Sequence, residues 1–192
     1  MEEKRLIQLA KEYCKHYHEG QIRKGSGEPY YKHPFEVAEI LDRYGYSDAV
    51  TQCIALLHDI VEDSEMNVRQ IGENFGYEIA NGLYVLSKNT INSDTKEFLD
   101  NSMLNKNIEN FSDEELYKMR MSFARRKVKR VKIADMIHNT KDLASLNPSG
   151  RERKLKDARE FYIPLGKKVA PLMIKKLEAN IDNYCRLKVR RN

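Results

Sequence analysis

Hydrophobic positions along the chain recur with the period of a helix almost throughout. Leu6, Leu9, Ala10, Tyr13 and Tyr17 fall at i, i+3, i+4, i+7 and i+11, which predicts an amphipathic first helix ending near Gly20. The Gly/Ser/Pro-rich stretch GQIRKGSGEPYYKH that follows reads as a loop. Pro34 suits the first turn of a second helix through FEVAEILDRYG, which Gly45 can terminate. Ser47 is placed to N-cap a third helix carrying AVTQCIALLHDIV.

Shorter helices are predicted over Val68–Phe75 and Tyr77–Leu86. Ser112 and Glu115 form a capping box that opens a helix running on through RRKVKRVKIADMIHNTKDLASL. The NPSG segment breaks the chain, and two more amphipathic helices fill 151–190, bent or divided by Pro164 and Pro171. The polar, Asn-rich stretch 88–111 reads as a mobile or variable connection. No strand alternation, internal repeat or low-complexity segment stands out, so the expected fold class is all-α.

With 192 residues, 41% of them hydrophobic, the chain can bury a real core, and one domain over 1–192 is expected. Its core is placed at about 5–170 and a basic C-terminal helix at about 171–190. No apolar run approaches the roughly 20 residues needed to span a bilayer, and no signal-peptide core is visible, so a cytoplasmic protein without membrane partners is expected. Cys14, Cys53 and Cys185 are far apart and lack C-x-x-C spacing, which reads as free thiols.

The net charge of +5 conceals an asymmetry, since 13 Lys/Arg and 5 Asp/Glu follow Gly150. A basic final third favours an anionic partner, whether nucleotide, nucleic acid or membrane surface, but a solvated helix face with a fraying KVRRN tail is expected over a dedicated nucleic-acid site.

Candidate chemistry begins at LLHDIVEDS, where a hydrophobic run leads directly into His58, Asp59, Glu62 and Asp63. Charge beside a core costs several kcal/mol per uncompensated ion, which a divalent metal would offset. His58 and Glu62, like Asp59 and Asp63, are four residues apart and would share a helical face. In VKIADMIHN, Asp135 interrupts an apolar stripe with Asn139 one turn on, and Lys132 could pair with it as a simple i, i+3 ion pair. His33, before Pro34, taken alone is an ordinary loop histidine. Together His33, His58, Asp59 and Asp135 form a mixed N/O set that suits Mn²⁺, Fe²⁺ or Zn²⁺, and the absence of thiolates argues against a structural zinc.

Four segments in order, GQIRKGSGEPYYKHPFEVA, ALLHDIVEDS, VKIADMIHNTKDL and FYIPLG, carry a family resemblance over most of the chain. The sequence resembles the HD-domain metal phosphohydrolases. Within them it is most similar to the (p)ppGpp hydrolase branch, the hydrolase half of RelA/SpoT-type proteins and their stand-alone small homologues. The resemblance implies a single HD-domain helical bundle with His33, His58, Asp59 and Asp135 as metal ligands and Mn²⁺ as the usual ion. It implies that Glu62 and Asp63 orient the attacking water and handle protons. Arg23 and Lys24 match a basic pair beside the nucleotide, Asn139 a nucleoside contact, and Tyr162 a tyrosine near the ribose and phosphates.

Lys132 either neutralises phosphate or pairs with Asp135, and His138 is expected beside the site without binding metal. The expected activity is hydrolysis of the 3′-pyrophosphate of (p)ppGpp to GDP or GTP and pyrophosphate, with no synthetase domain. The alternatives are the same chemistry on (p)ppApp or NADPH, and a non-catalytic nucleotide or RNA binder.

Overall fold

The computed structural model describes residues 2–24, 26–91, 111–141 and 143–189. Most of the stretch 88–111 therefore lies outside the described residues. The expected all-α class holds, and among the described residues the sole β feature is an isolated antiparallel bridge, Ile22 to Pro29.

Helix α1 spans Glu2–Tyr17, with Glu2 and Glu3 in its first turn and Lys15 and His16 in its last, the charge order that complements the helix dipole. Its apolar face buries Ala10 and Cys14 against α3 (Ala49–Leu57). Between α1 and α2 (Lys32–Arg43) the chain folds back through the Ile22–Pro29 bridge, with Arg23 N–H donating to Glu28 O at 2.8 Å and Tyr30 N–H to Gln21 O at 2.9 Å. The loop thereby becomes a fixed platform for Arg23 and Tyr30.

Two boundaries differ from the sequence pattern. Asp48, one residue after the expected Ser47, caps α3, because its carboxylate accepts both Thr51 N–H at 3.2 Å and Thr51 Oγ1–H at 2.7 Å. The helix expected to run through LLHDIV stops at Leu57, and a single turn, α4 (Ile60–Asp63), restarts after His58 and Asp59. Helices α5 (Val68–Phe75) and α6 (Tyr77–Leu86) follow as predicted, separated by Gly76 at φ +84°, a conformation that suits glycine.

The capping box at Ser112 opens α7 (Asp113–Phe123) as expected. The long helix foreseen beyond it is divided, because Ala124 and Arg125 are extended with ψ of 149° and 153°. Lys129 Nζ donates to the Ser122 carbonyl at 2.8 Å, which α7 leaves without a helical partner. Helix α8 (Arg126–Asn139) ends where Thr140 Oγ1 turns back onto Met136 O and Ile137 O, and Arg151 ties down the carbonyls of Leu143, Ala144 and Leu146.

Asn147 caps α9 (Pro148–Asp157), which runs into a π-helical turn, Ala158–Tyr162, and the short α10 (Ile163–Gly166). Pro171 begins α11 (Pro171–Val189), which packs on α8, with Asn180 Nδ2 donating to Ile137 O at 3.0 Å. One buried cluster joins Ala10 of α1 to Ile181 of α11.

Helix α8 lies centrally and touches α2, α3, α6, α10 and α11. Close packing on its middle turn requires Gly166, where a Cβ would run into the side chains of both Ile133 and Ile174. Gly166→Ala is expected to lower unfolding free energy by about 1–3 kcal/mol through overpacking. A denaturant midpoint equal to wild type would show that the two isoleucines can move aside without cost.

Candidate metal centre

Three parts of the chain converge at the middle of α8. The start of α2 supplies His33, the α3–α4 junction supplies His58 and Asp59, and α8 supplies Asp135. All sit where apolar neighbours fix the backbone, since Val37, Leu57, Ile60, Ala134 and Ile137 are buried around them. One ligand-type atom from each of His33, His58 and Asp135 lies within 4.8 Å of the others. His33 Nε2 is 3.2 Å from Asp135 Oδ1 and 3.6 Å from Asp59 Oδ2. His58 Nε2 is 3.2 Å from Asp59 Oδ2 and 3.9 Å from Asp135 Oδ1.

The set fits a divalent cation on its own chemistry. His58 Nδ1 bonds the Ala55 carbonyl at 2.7 Å, which requires the proton on Nδ1 and leaves the Nε2 lone pair facing the carboxylates. That Nε2 is fully buried and makes no hydrogen bond among the described residues. Without a cation, His58 is pushed up to about 9, because the charges of Asp59 and Asp135 outweigh the effect of burial. Burial, in contrast, holds His33 below the usual histidine range. Asp59 and Asp135 stay below the ordinary carboxylate range despite burial, Asp59 through the His58 charge and Asp135 through Lys132. Without metal, the two carboxylates are balanced by Lys132 and by the raised proton affinity of His58, whose Nε2 a divalent cation would take in place of the proton.

Around this centre lie the other residues singled out by the sequence. Lys132 Nζ donates to Asp135 Oδ2 at 2.9 Å, so the ion pair exists, and it also sits 5.9 Å from the centre of the Tyr162 ring. Tyr162 reaches that place from the π turn, and it is buried. Arg23 Nη2 donates to Asn139 Oδ1 at 3.1 Å, and Asn139 Nδ2 donates in turn to Asp135 Oδ1. Lys24 is exposed and makes no such link.

Glu62 and Asp63 part company. The Glu62 carboxylate accepts the backbone N–H of Lys88, in a 3₁₀ turn (Lys88–Thr90) held from behind by Arg120, which donates to Ser87 O and Thr90 O. Asp63 is exposed at the rim, yet desolvation and then the Asp59 charge raise its carboxyl above the usual aspartate range.

Sequence reasoning missed four residues here or gave them no role. Tyr30 donates its hydroxyl to Asp59 Oδ2 at 2.7 Å, and burial plus the Asp59 charge keep that proton on the phenol. Lys154 of α9 is half-buried within electrostatic reach of Asp135, Lys132, Arg23 and Asp59, and desolvation lowers it from the ordinary lysine range. His138, expected beside the site, places Nδ1 2.7 Å from His33 Nδ1, while its Nε2 is 2.9 Å from Glu36 Oε2. The only local signal for Glu36 was its position three residues after His33 on one helical face.

The helical architecture and the His/Asp centre define a metal-site protein built on an α-helical scaffold. A family model described as HD domain matches residues 10–170, and the chain belongs to that family. Among curated relatives, a guanosine-3′,5′-bis(diphosphate) 3′-pyrophosphohydrolase of Haemophilus influenzae is 37% identical over 149 residues, 77% of this chain and 20% of the relative. A probable GTP pyrophosphokinase of Mycobacterium leprae is 33% identical over 171 residues, 88% of this chain and 20% of the relative. The bifunctional (p)ppGpp synthase/hydrolase SpoT of Escherichia coli is 37% identical over 149 residues, 77% of this chain and 19% of the relative.

The chain thus spans about a fifth of the length of the curated relatives it matches. A solved structure, described as a metazoan ortholog of SpoT that hydrolyzes ppGpp, shares the fold at TM-score 0.72 and 19% identity, covering 93% of this chain and 95% of that one. Among the described residues, no helix is long and apolar enough to cross a membrane.

Divalent metal at a hundredfold excess over its Kd is expected to stabilise the fold by about 2.7 kcal/mol, seen as a raised Tm. His58→Ala and Asp135→Ala should abolish that rise. An equal rise in both variants would place metal binding elsewhere.

Proposed function

We propose that the protein is a manganese-dependent hydrolase that removes the 3′-pyrophosphate of (p)ppGpp, giving GDP or GTP and pyrophosphate. The observation that carries the reading is the convergence of His33, His58, Asp59 and Asp135, ringed by Arg23, Lys132 and Lys154. Relatives named for this reaction are 37% identical over 149 residues, 77% of this chain, which supports the reading. Mn²⁺ suits two imidazoles and two carboxylates without thiolate. The cytoplasm suits the free thiols Cys14, Cys53 and Cys185.

A bound divalent ion would lower the pKa of water and offset phosphate charge. The protein groups do the rest. Asp63, with its raised carboxyl, takes a proton from the attacking water as the water oxygen bonds to the phosphorus on the ribose 3′-oxygen. Glu62, fastened by Lys88 N–H, orients that water from the other side.

Arg23, Lys132 and Lys154 neutralise the diphosphates, with guanidinium and ammonium serving as fork and point charge respectively. Asn139 holds the nucleoside, and Tyr162 packs against the ribose. As the bond from phosphorus to the 3′-oxygen breaks, that oxygen takes up a proton and the nucleotide leaves with a free 3′-hydroxyl. Lys24, exposed and unlinked to the cluster, contributes through general attraction of the anionic substrate.

The test is to incubate the protein with ppGpp and Mn²⁺, then with chelator, and resolve the products. Metal-dependent appearance of GDP and pyrophosphate is expected. Asp63→Asn is expected to lower kcat by about 10²- to 10⁴-fold while metal still binds, and Glu62→Gln is also expected to slow turnover with metal bound. A metal-loaded protein inert toward ppGpp but active on ppApp or NADPH would overturn the substrate assignment. One inert toward all three would overturn the enzyme.

A further inference from the structure

His33 and His58 present the same atom, Nε2, to the carboxylates, yet the protein holds the two rings by different means. His58 is held by the carbonyl of Ala55, three residues back on its own helix. That acceptor belongs to the backbone and survives any side-chain substitution. Among the described residues, no backbone group bonds the His33 ring. Its Nδ1 lies 2.7 Å from Nδ1 of His138, a residue 105 positions away on α8, and His138 Nε2 lies 2.9 Å from Glu36 Oε2. The same Glu36 oxygen accepts Lys141 Nζ at 3.0 Å.

This chain of contacts permits one proton arrangement when both rings are neutral. An ionised Glu36 only accepts, so His138 Nε2 carries a hydrogen and donates it. His138 Nδ1 is then a bare lone pair. Two nitrogens 2.7 Å apart require one hydrogen between them, and that hydrogen must come from His33 Nδ1. His33 Nε2 is left as a lone pair, 3.2 Å from Asp135 Oδ1 and pointing at the position a cation would occupy. The opposite tautomer would put an N–H there and set two lone pairs against each other at His138. Burial sharpens the choice, since His33 and His138 are 3% and 5% exposed and water cannot supply the missing partner.

We propose that Glu36 and His138 are positioning residues that preset His33 as the Nδ1–H tautomer, leaving its Nε2 ready to bind a divalent cation. The inference rests on the metal-centre reading above and deepens it. The relay bridges α2 and α8, so it also fixes the spacing between the helices that carry His33 and Asp135. Lys141 donates to that same Glu36 oxygen from the solvent side.

Two measurements decide the proposal. ¹⁵N NMR of the histidine rings in metal-free protein should show His33 protonated at Nδ1 alone, and Glu36→Ala should turn this into a mixture of tautomers. Mn²⁺ titration should give affinities about 10- to 100-fold weaker in Glu36→Ala and His138→Phe, the usual cost of losing an outer partner of a ligating histidine. Lys141→Met, which breaks only the outer ion pair, should stay within about twofold of wild type.

A wild-type His33 protonated at Nε2 overturns the proposal, as do variants that bind metal as tightly as wild type. If wild type binds no divalent metal, the metal-centre reading fails instead, and the tautomer is still read from the metal-free spectrum. Should His138→Phe not fold, the wild-type spectrum and Glu36→Ala carry the decision.

Discussion

Asp59 and Asp135 approach the same two imidazoles from different helices, and their negative charges share a space from which water is largely excluded. Like charges so placed repel by several kcal/mol at any realistic interior dielectric, and each also loses its hydration. The surrounding structure answers that cost. Lys132 pairs with one carboxylate, Tyr30 donates to the other, and Asn139 adds a further donor to Asp135. None of these cancels the charge on the inner faces of the carboxylates, where the histidine nitrogens are turned. A cation completes the balance, and the fold arranges everything else so that it can enter.

That requirement explains where the helices begin and end. The interruption after Leu57 sets both His58 and Asp59 at a junction, with Asp59 as the residue before α4. The sequence pattern does not record this, because His58 and Asp59 keep backbone angles near the helical region, φ/ψ of −60°/−29° and −98°/−9°. Hydrophobic periodicity runs through the break undisturbed.

The split at Ala124 and Arg125 is silent for a related reason, since no glycine or proline marks it. By contrast, the capping box at Ser112 and the boundaries of α5 and α6 were legible, because their signals lie within a few residues of each other. Ser47 and Asp48 are both good caps. The contest was settled by the second hydrogen bond Asp48 gains from Thr51.

The site divides along the same line. His58, Asp59 and Asp135 stood out because chemistry-bearing types interrupted apolar runs, a local contrast, whereas His33, an ordinary loop histidine alone, joined them only through the set and the family resemblance. Tyr30, Glu36 and Lys154 carry no such contrast, since a tyrosine in a loop, a glutamate on an exposed helical face and a lysine in a basic helix are unremarkable neighbours in sequence. They become functional candidates only when α2, α8 and α9 are brought together. Glu62 and Asp63, adjacent and chemically alike, could not be told apart in the sequence. The turn at Lys88–Thr90 binds the first, whereas desolvation and the nearby Asp59 charge raise the proton affinity of the second.

The supports of the centre differ in reach. The inner ligands are held by contacts deep in the molecule, the Ala55 carbonyl, the His33–His138 contact and the Lys132–Asp135 pair, all screened from solvent. The cations that the proposed function assigns to phosphate come from the bridge-closed loop carrying Arg23 and from α9, and Tyr162 comes from the π turn that continues α9. The two sets are not independent, because Asn139 bonds both Arg23 and Asp135, and Tyr30 of the same loop donates to Asp59. Asn139 is therefore the point at which the loop carrying Arg23 and the α8 carboxylate are mechanically joined.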